Sequence, residues 1–190
     1  MKTGLYFGSF NPVHIGHMAI ANYFVEYTDL DEIWFVVSPQ NPLKKNNTLL
    51  PDYQRLELVY LAINDDPRFK ACDIEFSMPK PSYTIDTLTY LKEKYPDKKF
   101  SVIMGADNIK TIHKWKNYQN ILSENRIFIY PRQGFLPDNK NVEAIIDYVD
   151  APLIEISSSF IRKAFKNKKN VKFFLPENVY AFIEKMNYYK

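Results

Sequence analysis

Two rhythms of apolar residues alternate along the chain. Short runs such as Leu5-Tyr6-Phe7, Ile33-Trp34-Phe35-Val36-Val37 and Phe100-Ser101-Val102-Ile103-Met104 are nearly unbroken and rich in β-branched and aromatic residues, the pattern of strands covered on both faces. Longer stretches between them carry apolar residues at helical spacing. Together they predict strands over 3–7, 33–37, 70–75, 100–104, 126–130 and 153–156, and helices over 14–27, 52–64, 84–95, 141–148, 158–167 and 177–187. The apolar positions of the first helix include Ile15, Met18, Ala19 and Phe24. Strands and helices in alternation predict an α/β chain, a mostly parallel sheet with helices on both faces. In such sheets ligands sit beyond the carboxyl ends of the strands, where Gly8, Ser38, Gly105 and Ser157 fall.

Nothing in the chain suggests a division. No repeat, low-complexity segment or linker interrupts its 190 residues, and the polar stretches 39–51 and 131–141 read as loops. The expectation is one domain, 1–190, with a helical part from about 157 to 190 packed on it. Apolar residues make up 46% of the chain, which rules out a disordered class. The net charge of +3 is too small to call for nucleic acid, but it is unevenly placed. Residues 157–190 hold eight Lys/Arg against two acids, and residues 1–156 the remaining seventeen against twenty. That basic end can serve polyphosphate or form a solvated lysine face. One cysteine, Cys72, excludes an internal disulfide and reads as a buried filler. Polar residues interrupt the N-terminal stretch and no apolar run spans a bilayer, so the expected compartment is the cytosol, with no membrane partner.

Chemistry concentrates in Gly8-Ser9-Phe10-Asn11-Pro12-Val13-His14-Ile15-Gly16-His17, which holds two of the chain's three histidines. A strand ending in Gly-Ser, an Asn-Pro turn and a helix start would bring His14 and His17 near the first turn, on one face. The helix N-terminus adds unpaired N–H groups and the positive end of the dipole, which suits phosphate. Gly8 permits close approach, Pro12 fixes the helix entry, and Gly16 removes a side chain between the histidines. A second stretch, Ile156-Ser157-Ser158-Ser159-Phe160-Ile161-Arg162, follows a predicted strand. Its serines can cap a helix while facing a polyphosphate, and Arg162 one turn on can hold phosphate oxygens. Between the two, Gly105-Ala106-Asp107 ends a buried strand in a turn that can offer backbone amides to a base.

These paired stretches resemble the two signatures of the HxGH nucleotidyltransferases, and the residues between them resemble the bacterial nicotinate-nucleotide adenylyltransferases over nearly the whole length. The resemblance implies a Rossmann-like nucleotidyltransferase fold and adenylyl transfer from ATP to nicotinate mononucleotide, giving deamido-NAD and pyrophosphate. It implies catalytic roles for His14, His17 and Arg162, with His17 stabilising the transition state at the α-phosphate. The ATP site would be built from Gly8, Ser9, Phe10, Gly105, Asp107, Ser157, Ser158, Ser159 and Arg162. The mononucleotide would be held by Lys44, by Ser82-Tyr83-Thr84 reading the pyridine carboxylate, by Trp115 stacking on its ring, and by Arg132. Locally, Thr84 reads equally well as a helix N-cap.

Such a reaction needs little acid–base chemistry, because the attacking phosphate is already an anion. Magnesium is the expected cofactor, carried mainly by ATP phosphates; no recognised metal-ligand spacing occurs. ATP and nicotinate mononucleotide are the expected partners, without nucleic acid, and homo-oligomer formation is left open. Alternatives stay in view: pantetheine-phosphate adenylyltransferase or another HxGH enzyme, and more remotely a non-catalytic nucleotide- or nucleic-acid-binding module.

Overall fold

A computed structural model describes residues 1–39, 49–135 and 145–190. Six strands, β1 (Lys2–Gly8), β2 (Glu32–Val37), β3 (Phe69–Cys72), β4 (Lys99–Gly105), β5 (Arg126–Tyr130) and β6 (Ile146–Tyr148), form one sheet in the order β3-β2-β1-β4-β5-β6. Every pairing is parallel. The order reverses between β1 and β4, so a crevice opens beyond their carboxyl ends, where Gly8 and Gly105 stand. This is the parallel α/β sheet that the alternation of elements predicts and the Rossmann-like fold that the resemblance implies.

Successive strand residues feed opposite cores. Ile33, Phe35 and Val37 join one apolar cluster, and Trp34 and Val36 the other; β4 and β5 alternate likewise. The first cluster is closed by the helices α1 (Ile15–Tyr27), α2 (Asp52–Ile63), α6 (Ser158–Lys166) and α7 (Glu177–Met186). The second is closed by α3 (Thr84–Lys94), the single turn α4 (Ala106–Ile109) and α5 (Tyr118–Glu124). Helices of the C-terminal part therefore share a core with α1 and α2. Cys72 is buried in the second cluster, as expected of a buried filler, and burial pushes its thiol up to about 11.

Several expectations are corrected. The stretch read as a helix over 141–148 is the strand β6 where it is described, at 146–148; pairing with β5, Ile127 opposite Ile146, decides its conformation. Residues 153–156 form no strand, because no neighbouring strand pairs with them. Their alternation is real, with Leu153 and Glu155 exposed and Ile154 and Ile156 turned toward the first core, but it serves an extended connection. β3 stops at Cys72 and gives way to a 3₁₀ turn over Ile74–Ser77. In α1 the buried stripe is Gly16, Ile20, Ala21 and Phe24, whereas Ile15 and Ala19 are exposed. The helix is rotated because Gly16 is its point of closest approach: a Cβ there would lie 2.9 Å from Ile154 Cγ2 and 3.0 Å from His14 Nδ1. Sequence periodicity did not predict α4 or α5.

Candidate active site

Eighteen of the described residues line a cleft of about 340 Å³ at the carboxyl ends of β1, β4 and β5. Among them are His14, His17, Gly8, Ser9, Phe10, Asp107, Arg132, Ser157, Ser158, Ser159 and Arg162. Residues about 150 positions apart in sequence thus face one space. Gly105 does not itself line the cleft but packs against two residues that do: a Cβ there would fall 2.4 Å from Asp107 Oδ1 and 3.0 Å from Arg132 Nε.

The histidine pair is set by the entry to α1. His14 is the N-cap residue in extended conformation, and its backbone N–H donates to His17 Nδ1 at 3.2 Å. The rings stack with centroids 3.7 Å apart and planes 27° from parallel. Because Nδ1 of His17 accepts that bond, its proton belongs on Nε2. Phe10 and Tyr6 wall the His17 ring edge-on, at 5.1 and 6.0 Å. The space that a side chain on Gly8 would fill is taken by the Phe10 ring, 2.7 Å from where a Cβ would lie, and the Gly8 backbone lines the cleft. His14 is 4% exposed, and its Nδ1 is buried without a hydrogen-bond partner among the described residues. Burial, aided by the Arg132 charge, lowers its pKa to about 4, so His14 is a neutral imidazole at neutral pH.

The second stretch docks onto the first. Ser157 caps α6, its Oγ accepting from Phe160 N–H at 3.2 Å. Ser158 Oγ donates to Pro12 O at 2.9 Å. Arg162 donates to Asn11 O at 2.8 Å and to Ser159 Oγ at 3.3 Å, which leaves further guanidinium donors to face the cleft. Of the basic residues from 157 to 190, only Arg162 lines the cleft; the lysines are exposed, so they form the solvated face. Across the cleft, Arg132 donates to Tyr130 Oη at 2.9 Å and stands 3.7 Å from Asp107. Arg132, expected with the mononucleotide, therefore lies beside the histidines. Asp107 caps nothing, since Gly105 precedes α4 as its N-cap.

The remaining mononucleotide residues gather elsewhere. Ser82 is buried and donates to Glu75 Oε2 at 2.8 Å. Tyr83, not Thr84, is the N-cap of α3. Lys116 lies over the Tyr83 ring at 4.9 Å and pairs with Asp86 at 2.9 Å, joining the start of α3 to the segment that carries Trp115. Trp115 is half-buried and packs its inner side on the second core. None of Ser82, Tyr83, Thr84 and Trp115 lines the 340 Å³ cleft. Lys44 lies outside the described residues.

Three polar residues, two of them buried and one half-buried, escape sequence reasoning. Arg55 is fully buried and donates to the carbonyls of Ser9 (2.7 Å), Ser38 (2.8 Å), Leu50 (2.9 Å) and Pro39 (3.2 Å) and to Asp52 (2.6 Å). It ties the ends of β1 and β2 together at the mouth of the cleft. One signal exists for it: Arg55 lies on the buried stripe of α2 with Leu58, Val59 and Ala62. Glu75 accepts from Ser82 and from Thr87, each at 2.8 Å, and burial raises its pKa. Tyr189, near the end of the chain, donates to Asn11 Oδ1 at 2.7 Å.

Among the described residues no group of three or more His, Cys, Asp or Glu is placed to hold a metal ion, and no helix is long and apolar enough to cross a membrane.

Residues 5–164 match the model of the cytidylyltransferase-like family. The chain is 53% identical over 192 aligned positions to the probable nicotinate-nucleotide adenylyltransferase of Flavobacterium johnsoniae, covering all of both chains. It is 50% identical to the protein of the same name from Bacteroides thetaiotaomicron, over 96% of this chain and 91% of that one. Among solved structures, the nicotinic acid mononucleotide adenylyltransferase of Plasmodium falciparum complexed with NaAD superposes with a TM-score of 0.81 at 23% identity, covering 99% of this chain and 97% of that one. That likeness concerns the fold.

Proposed function

The chain belongs to the nicotinate-nucleotide adenylyltransferases of the cytidylyltransferase-like family, and from that premise we propose how its cleft carries out the reaction. The enzyme transfers the adenylyl group of ATP to nicotinate mononucleotide. A phosphate oxygen of the mononucleotide attacks the α-phosphorus of ATP, a new P–O bond forms, the α–β bridging bond breaks, and pyrophosphate leaves in line. Deamido-NAD is the other product. No proton need move, so positioning and charge neutralisation are the protein's tasks.

One observation carries the assignment of roles: the Gly8–His17 and Ser157–Arg162 segments are locked face to face by the Ser158–Pro12 and Arg162–Asn11 bonds. His17, with its proton on Nε2, is placed to donate to the α-phosphate as charge builds in the transition state. His14 contributes a neutral N–H to the phosphates and adds no charge that would hold pyrophosphate in place. The donors left on Arg162, with the serines at the start of α6, take the β- and γ-phosphates. Gly8, Ser9, Phe10, Gly105 and Asp107 complete the nucleotide site. Arg132, beside His14 and Asp107, belongs in this reading to the region where the two phosphates meet.

Ser82-Tyr83-Thr84 and Trp115 form the acceptor site. The N–H groups of the first turn of α3, at the positive end of the helix, suit a carboxylate, and the outer side of Trp115 suits an aromatic ring. Ser82 supports this site from behind, since Glu75 holds its hydroxyl. Lys44 is assigned to the mononucleotide phosphate by resemblance alone. The fold family implies a divalent metal, and magnesium bound through ATP oxygens suits a cleft of histidines, arginines and hydroxyls in which Asp107 is the one carboxylate among the described residues. When bound, it neutralises charge on the triphosphate. The chain acts as one nucleotidyltransferase domain.

The test measures pyrophosphate release from ATP and magnesium with three acceptors: nicotinate mononucleotide, its amide counterpart and phosphopantetheine. Release with the acid form, much faster than with the amide, is expected. A phosphopantetheine response overturns the acceptor assignment, and no release with any of the three overturns the activity.

A further inference from the structure

The last residues of the chain turn back toward the cleft. Asn187 and Tyr189 both adopt left-handed backbone, with φ of 54° and 65°, and Tyr188 N–H closes the end of α7 on Ile183 O at 3.1 Å. This turn lays the Tyr189 ring against Phe165, with centroids 6.1 Å apart, on the helix that carries Arg162. Its hydroxyl reaches Asn11 Oδ1 at 2.7 Å. The same oxygen accepts Leu50 N–H at 3.3 Å, and the carbonyl of Asn11 accepts Arg162 at 2.8 Å. Asn11 is 3% exposed.

A phenylalanine would fill the same space against Phe165. The hydroxyl must shed water to reach its place, and that cost is offset only if it finds a partner. Its partner is the residue that holds Arg162. Burial raises the Tyr189 pKa, so the group remains a protonated donor throughout the neutral range.

We propose that Tyr189 is a positioning residue for the nucleotide cleft, acting at a distance from substrate: its hydroxyl fixes the Asn11 side chain, and the Asn11 carbonyl in turn holds Arg162 where the outer phosphates of ATP bind. The proposal rests on the reading of Arg162 as a phosphate ligand. Geometry alone links the three residues; the phosphate supplies the consequence. Loss of the hydroxyl lets Asn11 turn its amide and loosens Arg162, without disturbing the acceptor site near Trp115.

The experiment compares full-length wild type, Tyr189→Phe, Asn11→Ala and the double variant. Each is measured for ATP Kd by calorimetry with magnesium, for KM of ATP and of nicotinate mononucleotide, and for Tm. Tyr189→Phe is expected to raise the ATP Kd and KM about fivefold, the size of one neutral hydrogen bond, while the mononucleotide KM stays within about twofold. In the Asn11→Ala background the same change should have no further effect on ATP. Unchanged ATP binding in Tyr189→Phe overturns the proposal, as does a loss that persists in full beside Asn11→Ala. If Asn11→Ala does not fold, Arg162→Ala replaces it as the background and the same non-additivity is required. Absence of turnover in wild type would overturn the activity instead, because the calorimetric comparison still reads Tyr189.

Discussion

The nucleotide cleft and the acceptor region are built in different ways. Donors that are buried (Arg55) or half-buried (Arg162, Ser158) hold the cleft by backbone carbonyls: Arg55 on Ser9, Arg162 on Asn11, Ser158 on Pro12. Around Tyr83 and Trp115, the contacts that join the two segments are made by one exposed lysine, Lys116, with an exposed carboxylate and a ring face. Exposed pairs of that kind contribute at most about 1 kcal/mol, whereas hydrogen bonds from a buried arginine are far costlier to break. The cleft is therefore fixed before substrate arrives. The acceptor region has only its inner side fixed, by the core beneath Trp115 and by Glu75 behind Ser82. In the function proposed above, chemistry that depends on transition-state geometry falls to the more tightly held part, and recognition to the other.

If that division is right, losses in the cleft fall on turnover and losses in the acceptor region fall on binding. The largest effect is expected for His17→Ala, which removes a donor aimed at the developing charge. Its kcat should drop by roughly 10²- to 10³-fold with little change in either KM, as steady-state kinetics would show. A kcat equal to wild type would put His17 outside the reaction. Next comes Trp115→Ala, with the opposite signature. Loss of a stacked ring should raise the mononucleotide KM about tenfold and leave the KM for ATP alone. If both KM values rise together, the two regions are not independent.

The smallest effect concerns stability and comes from His14. Its folded pKa of about 4 lies below the ordinary value of 6.5, so between these limits the unfolded chain binds a proton that the folded chain refuses. Stability from this group is complete above about pH 6.5 and is lost as the pH falls toward 4. Thermal melts across that window should therefore show a steeper acid decline for wild type than for His14→Gln. Equal slopes would mean that His14 takes up its proton freely in the folded state.

Most of the fold could be read from the sequence because β1, β2, β4 and β5 have both faces buried, and such strands announce themselves as unbroken apolar runs. Failures came where tertiary pairing decided the outcome. The strand β6 has three residues and exists through its partner β5, while 153–156 has a strand's alternation and no partner to pair with. The two signature stretches were legible as candidates because glycine, proline and histidine in that order are hard to explain by packing. What held them together was not. A helix arginine such as Arg55 and the second-to-last residue, Tyr189, look ordinary in one dimension, and their partners are main-chain carbonyls and an amide that no residue pattern records.

The chain contains two tryptophans, and the fold has sorted them optically. Trp34 is 1% exposed, sealed in the second core between Tyr95 and Phe100, so its emission should be blue-shifted and indifferent to solutes. Trp115 is half-buried and faces the region assigned to the pyridine ring. The longer-wavelength part of the intrinsic fluorescence therefore belongs to one residue, and an electron-poor ring laid on that indole would quench it. Without label or engineering, the protein carries its own reporter for occupancy of one half of the site, with the other tryptophan as a fixed internal standard.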